Sequence, residues 1–97
     1  MAEEYRIEFV DEAVADVRAL RAFERQKILA DINSFLRREP KKTSRTRIKV
    51  MIQPFWSQYR LRVEDFRAYY DVDDSNRLVT ILRVLKKTTG QTPSSAP

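Results

Sequence analysis

Polar and apolar residues alternate in "YRIEFV", Tyr5 to Val10, which predicts a short first strand. The period then lengthens. Val10, Ala13, Val14, Val17 and Leu20 follow helical spacing, with Asp11 placed to cap the N-terminus. Phe23, Ile28, Leu29, Ile32, Phe35 and Leu36 mark a second helix, which must stop before Pro40 because the ring disfavours helical geometry at Glu39. No glycine or proline separates the two runs, so a tight turn is expected near Arg21 and Ala22. The product is a helical hairpin with one apolar face.

After the polar, basic connection "EPKKTSRTR", Glu39 to Arg47, the period shortens to two. "IKVMI", Ile48 to Ile52, predicts a short strand, and "QPFWSQ" an irregular corner opened by Pro54. Phe55 and Trp56 in that corner are expected to plug one end of the core, since large rings bury the most area per residue; a stacking surface for a base is the alternative. "YRLRVEDFRAYY", Tyr59 to Tyr70, reads as two strands joined by a turn at Glu64 and Asp65. "DDSN" turns the chain into "RLVTILRVL", apolar nearly throughout, as a central strand covered on both faces would be. Helices followed by strands indicate an α+β fold. The N-terminal strand and helical hairpin pack on one face of a mainly antiparallel twisted sheet of about four strands. One domain over residues 1–90 is expected, with a disordered tail over 91–97.

The alternation within the hairpin sorts its side chains. If Val63 pairs with Phe66, then Leu61 faces Ala68 and Tyr59 faces Tyr70, all towards the helices with Val72. Arg60, Arg62, Arg67, Tyr69 and Asp71 point away, with Arg62 directly opposite Arg67. Like charges directly across a strand pair destabilise it. Either Glu64, Asp65 and Asp71 neutralise these arginines, or a bound anion does; phosphate suits the planar guanidinium fork. Arg83 depends on register. A simple loop at Asp73 to Asn76 pairs Arg67 with Leu82 and turns Arg83 into the core, whereas a one-residue bulge brings it onto the arginine face. Burying an unpaired guanidinium is costly, so a bulge or an edge position is expected. Arg47, Lys49, Lys86 and Lys87 extend the basic surface, and Tyr69 is available to stack or to donate a proton.

The 97 residues carry a net charge of +5, but unevenly. Residues 1–40 hold seven basic against nine acidic side chains, and residues 41–97 twelve against five. An acidic first half and a basic second half suggest a face built for an anionic partner. The chain has no cysteine and no histidine, which removes thiol chemistry, the usual general base and the commonest metal ligand. No carboxylate cluster suggests a metal site, and no cofactor is expected. The opening "MAEEYRIEF" lacks an apolar signal region and no run approaches a membrane span, so a soluble cytoplasmic protein is expected.

"YRIEF" (Tyr5 to Phe9), Ala13, "RQKILADINSFL" (Arg25 to Leu36), "YRLRVEDFRAYYDVDD" (Tyr59 to Asp74) and "ILRVLKK" (Ile81 to Lys87) together resemble the RelE/ParE superfamily of toxins. The resemblance implies the same helices-on-sheet fold. Its RelE branch implies a metal-independent, ribosome-dependent endoribonuclease that cuts mRNA and so inhibits translation. The family's basic strand positions fall on Arg60, Arg62 and Arg67, with Arg83 the further candidate. RNA contacts are then assigned to Arg47, Lys49, Tyr69, Lys86 and Lys87. Partners implied are ribosome-bound mRNA, a small antitoxin with an acidic or amphipathic segment, and operator DNA only as a toxin–antitoxin complex. A ParE-like inhibitor of DNA gyrase, or a catalytically silent antitoxin-binding member, is the alternative. Two departures stand out. The segment "LKKTTGQTP" lacks the arginine or histidine and the tyrosine usual after the last strand, so the general acid is missing or replaced by a lysine or Tyr69. The glycine usual in the hairpin turn is Glu64.

Overall fold

A computed structural model describes residues 4–87. The elements run β1 (Arg6–Phe9), α1 (Asp11–Arg18), α2 (Ala22–Leu36), β2 (Ile48–Val50), β3 (Tyr59–Val63), β4 (Phe66–Asp73) and β5 (Leu78–Lys86). They form two helices against a five-stranded sheet ordered β1-β5-β4-β3-β2. All neighbours are antiparallel except β1 and β5, which pair in parallel from Arg6 opposite Leu78 to Phe9 opposite Ile81. The sheet has one strand more than expected because both short segments, β1 and β2, join it as edges. The expected tail lies outside the described residues.

The helical hairpin forms where the spacing places it, with three residues between its helices. Val10 rather than Asp11 is the N-cap of α1; Asp11 and Glu12 occupy the first turn, where their charge complements the helix dipole. At α2 the Glu24 carboxylate accepts from the Arg21 backbone N–H at 3.3 Å, half of a capping box. Ala13, Val17, Ile28, Ile32 and Leu36 meet Leu61, Val63, Phe66, Ala68, Tyr70, Val79, Ile81 and Val84 in a single buried cluster. Each aliphatic side chain fully buried there contributes roughly 1.5–3 kcal/mol. The Tyr70 hydroxyl donates to the Pro40 carbonyl at 2.6 Å, tying the chain after α2 to the middle of the sheet. Burial, with the nearby Tyr59 second, pushes the Tyr70 phenol far above its ordinary pKa, so it stays neutral.

The apolar pattern overreaches in three places. Phe23 (65% exposed) and Leu29 lie outside the core because the buried stripe of α2 runs through Ile28, Asp31 and Ile32. β2 ends at Val50, leaving Ile52 exposed, since the corner starting at Gln53 turns the chain away from the sheet. On β5 only Val79, Ile81 and Val84 are buried; Leu78, Leu82 and Leu85 are half-buried, so the second face is only partly covered.

Candidate functional site

The hairpin register follows the alternation residue for residue: Tyr59 faces Tyr70, Arg60 Tyr69, Leu61 Ala68, Arg62 Arg67 and Val63 Phe66. The Val63 and Phe66 side chains enter the core, so the period of two sends Arg60, Arg62 and Arg67 to the opposite face. β2 extends both rows. Lys49 stands opposite Arg60, and the Arg62 backbone N–H donates to the Arg47 carbonyl at 2.8 Å.

Arg67 is the anchor. It is only 8% exposed, and its Nη1 donates to the carbonyls of Glu64 at 3.3 Å and Phe66 at 3.0 Å. Burial, and then the charges of Arg60 and Arg62, lower its pKa from the ordinary arginine value. Arg47 is steered from the other side. Its backbone N–H and that of Ile48 both donate to the Ser44 hydroxyl, its guanidinium lies 5.3 Å from the Phe35 ring centre, and its Nη1 reaches the Arg62 carbonyl at 3.4 Å. These side chains and Lys49, Arg60, Arg62 and Lys87 line a recess of about 150 Å³ with Arg45 and Thr46. No acidic side chain lines it. Arg45 went unnoticed in the sequence, although it stands at the same alternating spacing as Arg47 and Lys49.

The turn acids form no ion pair on this face, although the charge of Asp65 offsets part of the lowering of the Arg67 pKa. Among the described residues, no carboxylate lies within ion-pair distance of Arg60, Arg62 or Arg67. Glu64 meets Arg67 through its backbone carbonyl only. Asp71 accepts from the Gln58 backbone N–H at 2.7 Å, two residue pairs along the ladder from Arg60.

Three candidates stand elsewhere. β5 does carry a bulge, with Tyr69 opposite Arg83 and Tyr70 opposite Ile81, so Arg67 faces Leu85. Yet the Arg83 guanidinium is held by Asp16 of α1, Nε–Oδ2 at 2.7 Å and Nη2–Oδ1 at 3.0 Å. Asp16 Oδ2 also accepts the Val84 backbone N–H at 2.9 Å, satisfying β5 beyond the end of β1. Burial raises the Asp16 pKa, but the bonds from Arg83 and Val84 outweigh it and hold the carboxyl below its ordinary value. Lys86 stands opposite Phe66, hence on the helix side, where it lines a groove with Asp16 and Leu20. Tyr69 is 5% exposed, with the Trp56 and Phe55 ring centres 4.6 and 6.1 Å from its own, so it is not a free stacking surface. The same contact corrects the expected place of Phe55 and Trp56. They lie with Tyr69 on the side of the sheet away from the helices, not at an end of the main core.

The recess can bind an anion and stabilise charge developing on it, because unpaired guanidiniums are held ready in a concave setting. Among the described residues no group of three or more histidine, cysteine or acidic side chains is placed to hold a metal ion. No described helix is long and apolar enough to cross a membrane.

Solved structures share the architecture. The RelBE2 toxin–antitoxin complex from Mycobacterium tuberculosis contains a chain that superposes with a TM-score of 0.72 at 19% identity, covering 90% of this chain and 95% of that one. The archaeal RelE–RelB complex from Pyrococcus horikoshii gives 0.66 at 20% identity, covering 93% and 100%. A mutant of E. coli RelE in the free state gives 0.67 at 18% identity, covering 95% and 92%. No curated protein sequence matches. The family described as "ParE toxin of type II toxin-antitoxin system, parDE" matches residues 7–89. Spanning nearly all of the helical hairpin and the sheet, that match makes this chain a member of the ParE toxin family of type II toxin–antitoxin systems, within the RelE/ParE superfamily.

Proposed function

We propose that this toxin is a RelE-like, ribosome-dependent mRNA endoribonuclease that inhibits translation without a metal or other cofactor. The observation that carries this reading is the recess in which Arg60, Arg62 and Arg67 converge with no acidic side chain in its lining. A phosphodiester placed there supplies the missing negative charge. The ribose 2′-hydroxyl gives up its proton to solvent water as it attacks the adjacent phosphorus, the P–O bond to the 5′-oxygen breaks as that oxygen takes a proton from a lysine of the recess, and the products are a 2′,3′-cyclic phosphate and a 5′-hydroxyl. Orientation of the 2′-oxygen and stabilisation of the phosphorane charge are the contributions arginine makes best. Lys49 and Lys87 are the proton donors within the recess.

Induced expression with 5′-end mapping tests this reading. Wild type cuts translated mRNA, and Arg62→Ala or Arg67→Ala reduces cutting by about 10²–10³-fold, the usual range for removing one charge-stabilising donor. An intact message pool during growth arrest overturns it.

A second reading, inhibition of DNA gyrase without nuclease activity, is favoured by the ParE family match and by the removal of Tyr69 and Arg83 from the recess. Relaxed or broken DNA in arrested cells would select it, and harmless expression would select a silent antitoxin-binding member. In every case the partner is a small antitoxin, with operator DNA engaged only by the complex. The groove of about 420 Å³ beside exposed Phe23, with Ile28, Val63 and Phe66 beneath, suits the apolar side of an amphipathic segment, while Glu24, Glu64 and Asp65 at its rim outnumber Lys27 and favour basic flanking residues over acidic ones. The ribosome as site of action places the protein in the cytoplasm.

A further inference from the structure

The corner between β2 and β3 is built more firmly than a connection needs. Gln53 Nε2 donates to the carbonyls of Met51 at 3.3 Å and Ser57 at 3.1 Å, while its Oε1 accepts the Phe55 backbone N–H at 3.3 Å. The buried Ser57 hydroxyl donates to the Tyr59 carbonyl at 3.2 Å. Gln58 is fixed to β4 twice, through Asp71 and through the Val72 backbone N–H. This frame holds the Phe55 and Trp56 rings stacked, centres 5.0 Å apart and planes 27° from parallel, above Tyr69. Both stay half-buried. The Trp56 indole N–H is buried without a hydrogen-bond partner among the described residues, an arrangement that opposes stability and calls for another reason.

The position of this pair supplies one. Tyr69 stands opposite Arg60, a lining residue of the arginine recess, and the Arg60–Tyr69 pair lies two residues along the ladder from Arg62–Arg67. Two residues of strand span about 7 Å. That places Tyr69, against which the ring pair packs, within about one nucleotide of the recess. A cationic groove flanked by aromatic rings is also how single strands are held without sequence preference.

We propose that Phe55 and Trp56 form a stacking ledge for an unpaired base of the RNA strand whose phosphate occupies the neighbouring arginine recess. This rests on the RNA reading above and adds to it. The recess positions the backbone, and the ledge holds the adjoining base out of its own stack, which fixes the sugar between them. Duplex RNA offers no free base face and is excluded.

Trp56 is the sole tryptophan of the chain, so its fluorescence reports on the ledge directly. The full-length protein is titrated with a short single-stranded RNA and with the same RNA made abasic, which keeps every phosphate and removes every base. The intact RNA quenches Trp56, and the abasic RNA binds roughly 5- to 150-fold more weakly, the span measured for loss of one stacked base. Phe55→Ala lowers affinity for the intact RNA and leaves the abasic affinity unchanged. Phe55→Leu, which keeps apolar bulk for folding but lacks a π-face, does the same with an unchanged melting temperature. Equal affinity for the two RNAs, with binding still lost in Arg62→Ala, overturns the ledge while leaving the recess as a phosphate site. Binding of neither RNA while 5′-end mapping still shows cut translated mRNA overturns the ledge and leaves the nuclease reading standing, whereas binding of neither with an intact message pool overturns both. Quenching by an acidic peptide but not by RNA overturns the ledge in favour of a protein partner.

Discussion

Arg62 and Arg67 stand directly opposite each other across the β3–β4 hairpin, and Arg67 is buried while Arg62 is exposed. The pair therefore has an inner member fixed by two backbone carbonyls and an outer member exposed at the surface. Burial and the neighbouring arginines work against the charge of Arg67. The hairpin keeps its register despite the like charges because Leu61, Val63, Phe66 and Ala68 are held in the core behind it, and under the proposed function a phosphate supplies the opposing charge.

Stability and activity should consequently separate at Arg62. Arg62→Thr removes the like-charge contact and places a β-branched residue in the strand, so it should raise stability by about 0.2–1 kcal/mol. The same change should lower RNA affinity and flatten its salt dependence by about 0.7 in the slope of log K against log salt, one phosphate contact on a single strand. Urea unfolding and RNA titration at several salt concentrations check both. A loss of stability would mean that the guanidinium has an internal role.

The hairpin turn offers a second separation. Glu64 has φ 55°, in the left-handed region that favours glycine. Glu64→Gly relieves a backbone cost of about 1–2 kcal/mol, partly offset by the greater freedom of glycine when unfolded. A net gain of about 0.5–1 kcal/mol is expected in chemical denaturation. Because the Glu64 backbone carbonyl and not its carboxylate meets Arg67, mRNA cleavage should not fall.

These two changes lie in the stretch where the sequence was most legible. Alternation has a period of two, so one correct pair determines five, and the arginine face followed from Val63 opposite Phe66. The last strand was legible only in part. A bulge was foreseeable from the cost of burying Arg83, but Asp16 as its partner was not, because it lies on α1 and is distant in the sequence. Lys86 and Lys87 are adjacent in the chain and so point to opposite faces, which basic composition conceals. Phe55 and Trp56 carry no periodicity at all. Only the fold of the corner determines which side of the sheet large rings in a loop will cover.

The Asp16–Arg83 pair should give the fold a measurable acid sensitivity. The folded Asp16 pKa lies below its ordinary value of 3.8, so its contribution to stability is fully present above that value and is lost as pH falls through the lower, folded one. With the Arg83 side chain 33% and the Asp16 side chain 15% exposed, Asp16→Asn should cost about 1.5 kcal/mol at pH 7, the low end for bonds to charged groups. That difference should shrink below about pH 4 as the wild-type carboxyl becomes neutral as well. Urea midpoints at pH 7, 5 and 3 for both proteins check the sign. RNA cleavage by Asp16→Asn should match wild type at pH 7, since neither partner lines the recess.

Tyr69 provides the sharpest test of how the chemistry is divided. As a hydroxyl on the strand beside the arginines it would be the natural proton donor for the leaving 5′-oxygen. Its loss would then slow cleavage by about 10²–10⁴-fold, the usual worth of a general acid. The structure instead buries its ring beneath Trp56 and Phe55, and Tyr69 is not among the residues lining the recess. Tyr69→Phe keeps the ring and removes only the hydroxyl, so the aromatic stack and the register against Arg60 persist. Cleavage rate and its pH profile should therefore stay at wild-type values. Lys87→Ala, which removes a donor inside the recess, should slow cleavage. The reverse pattern, with Tyr69→Phe inactive and Lys87→Ala unaffected, would mean that the tyrosine leaves its cover when RNA binds.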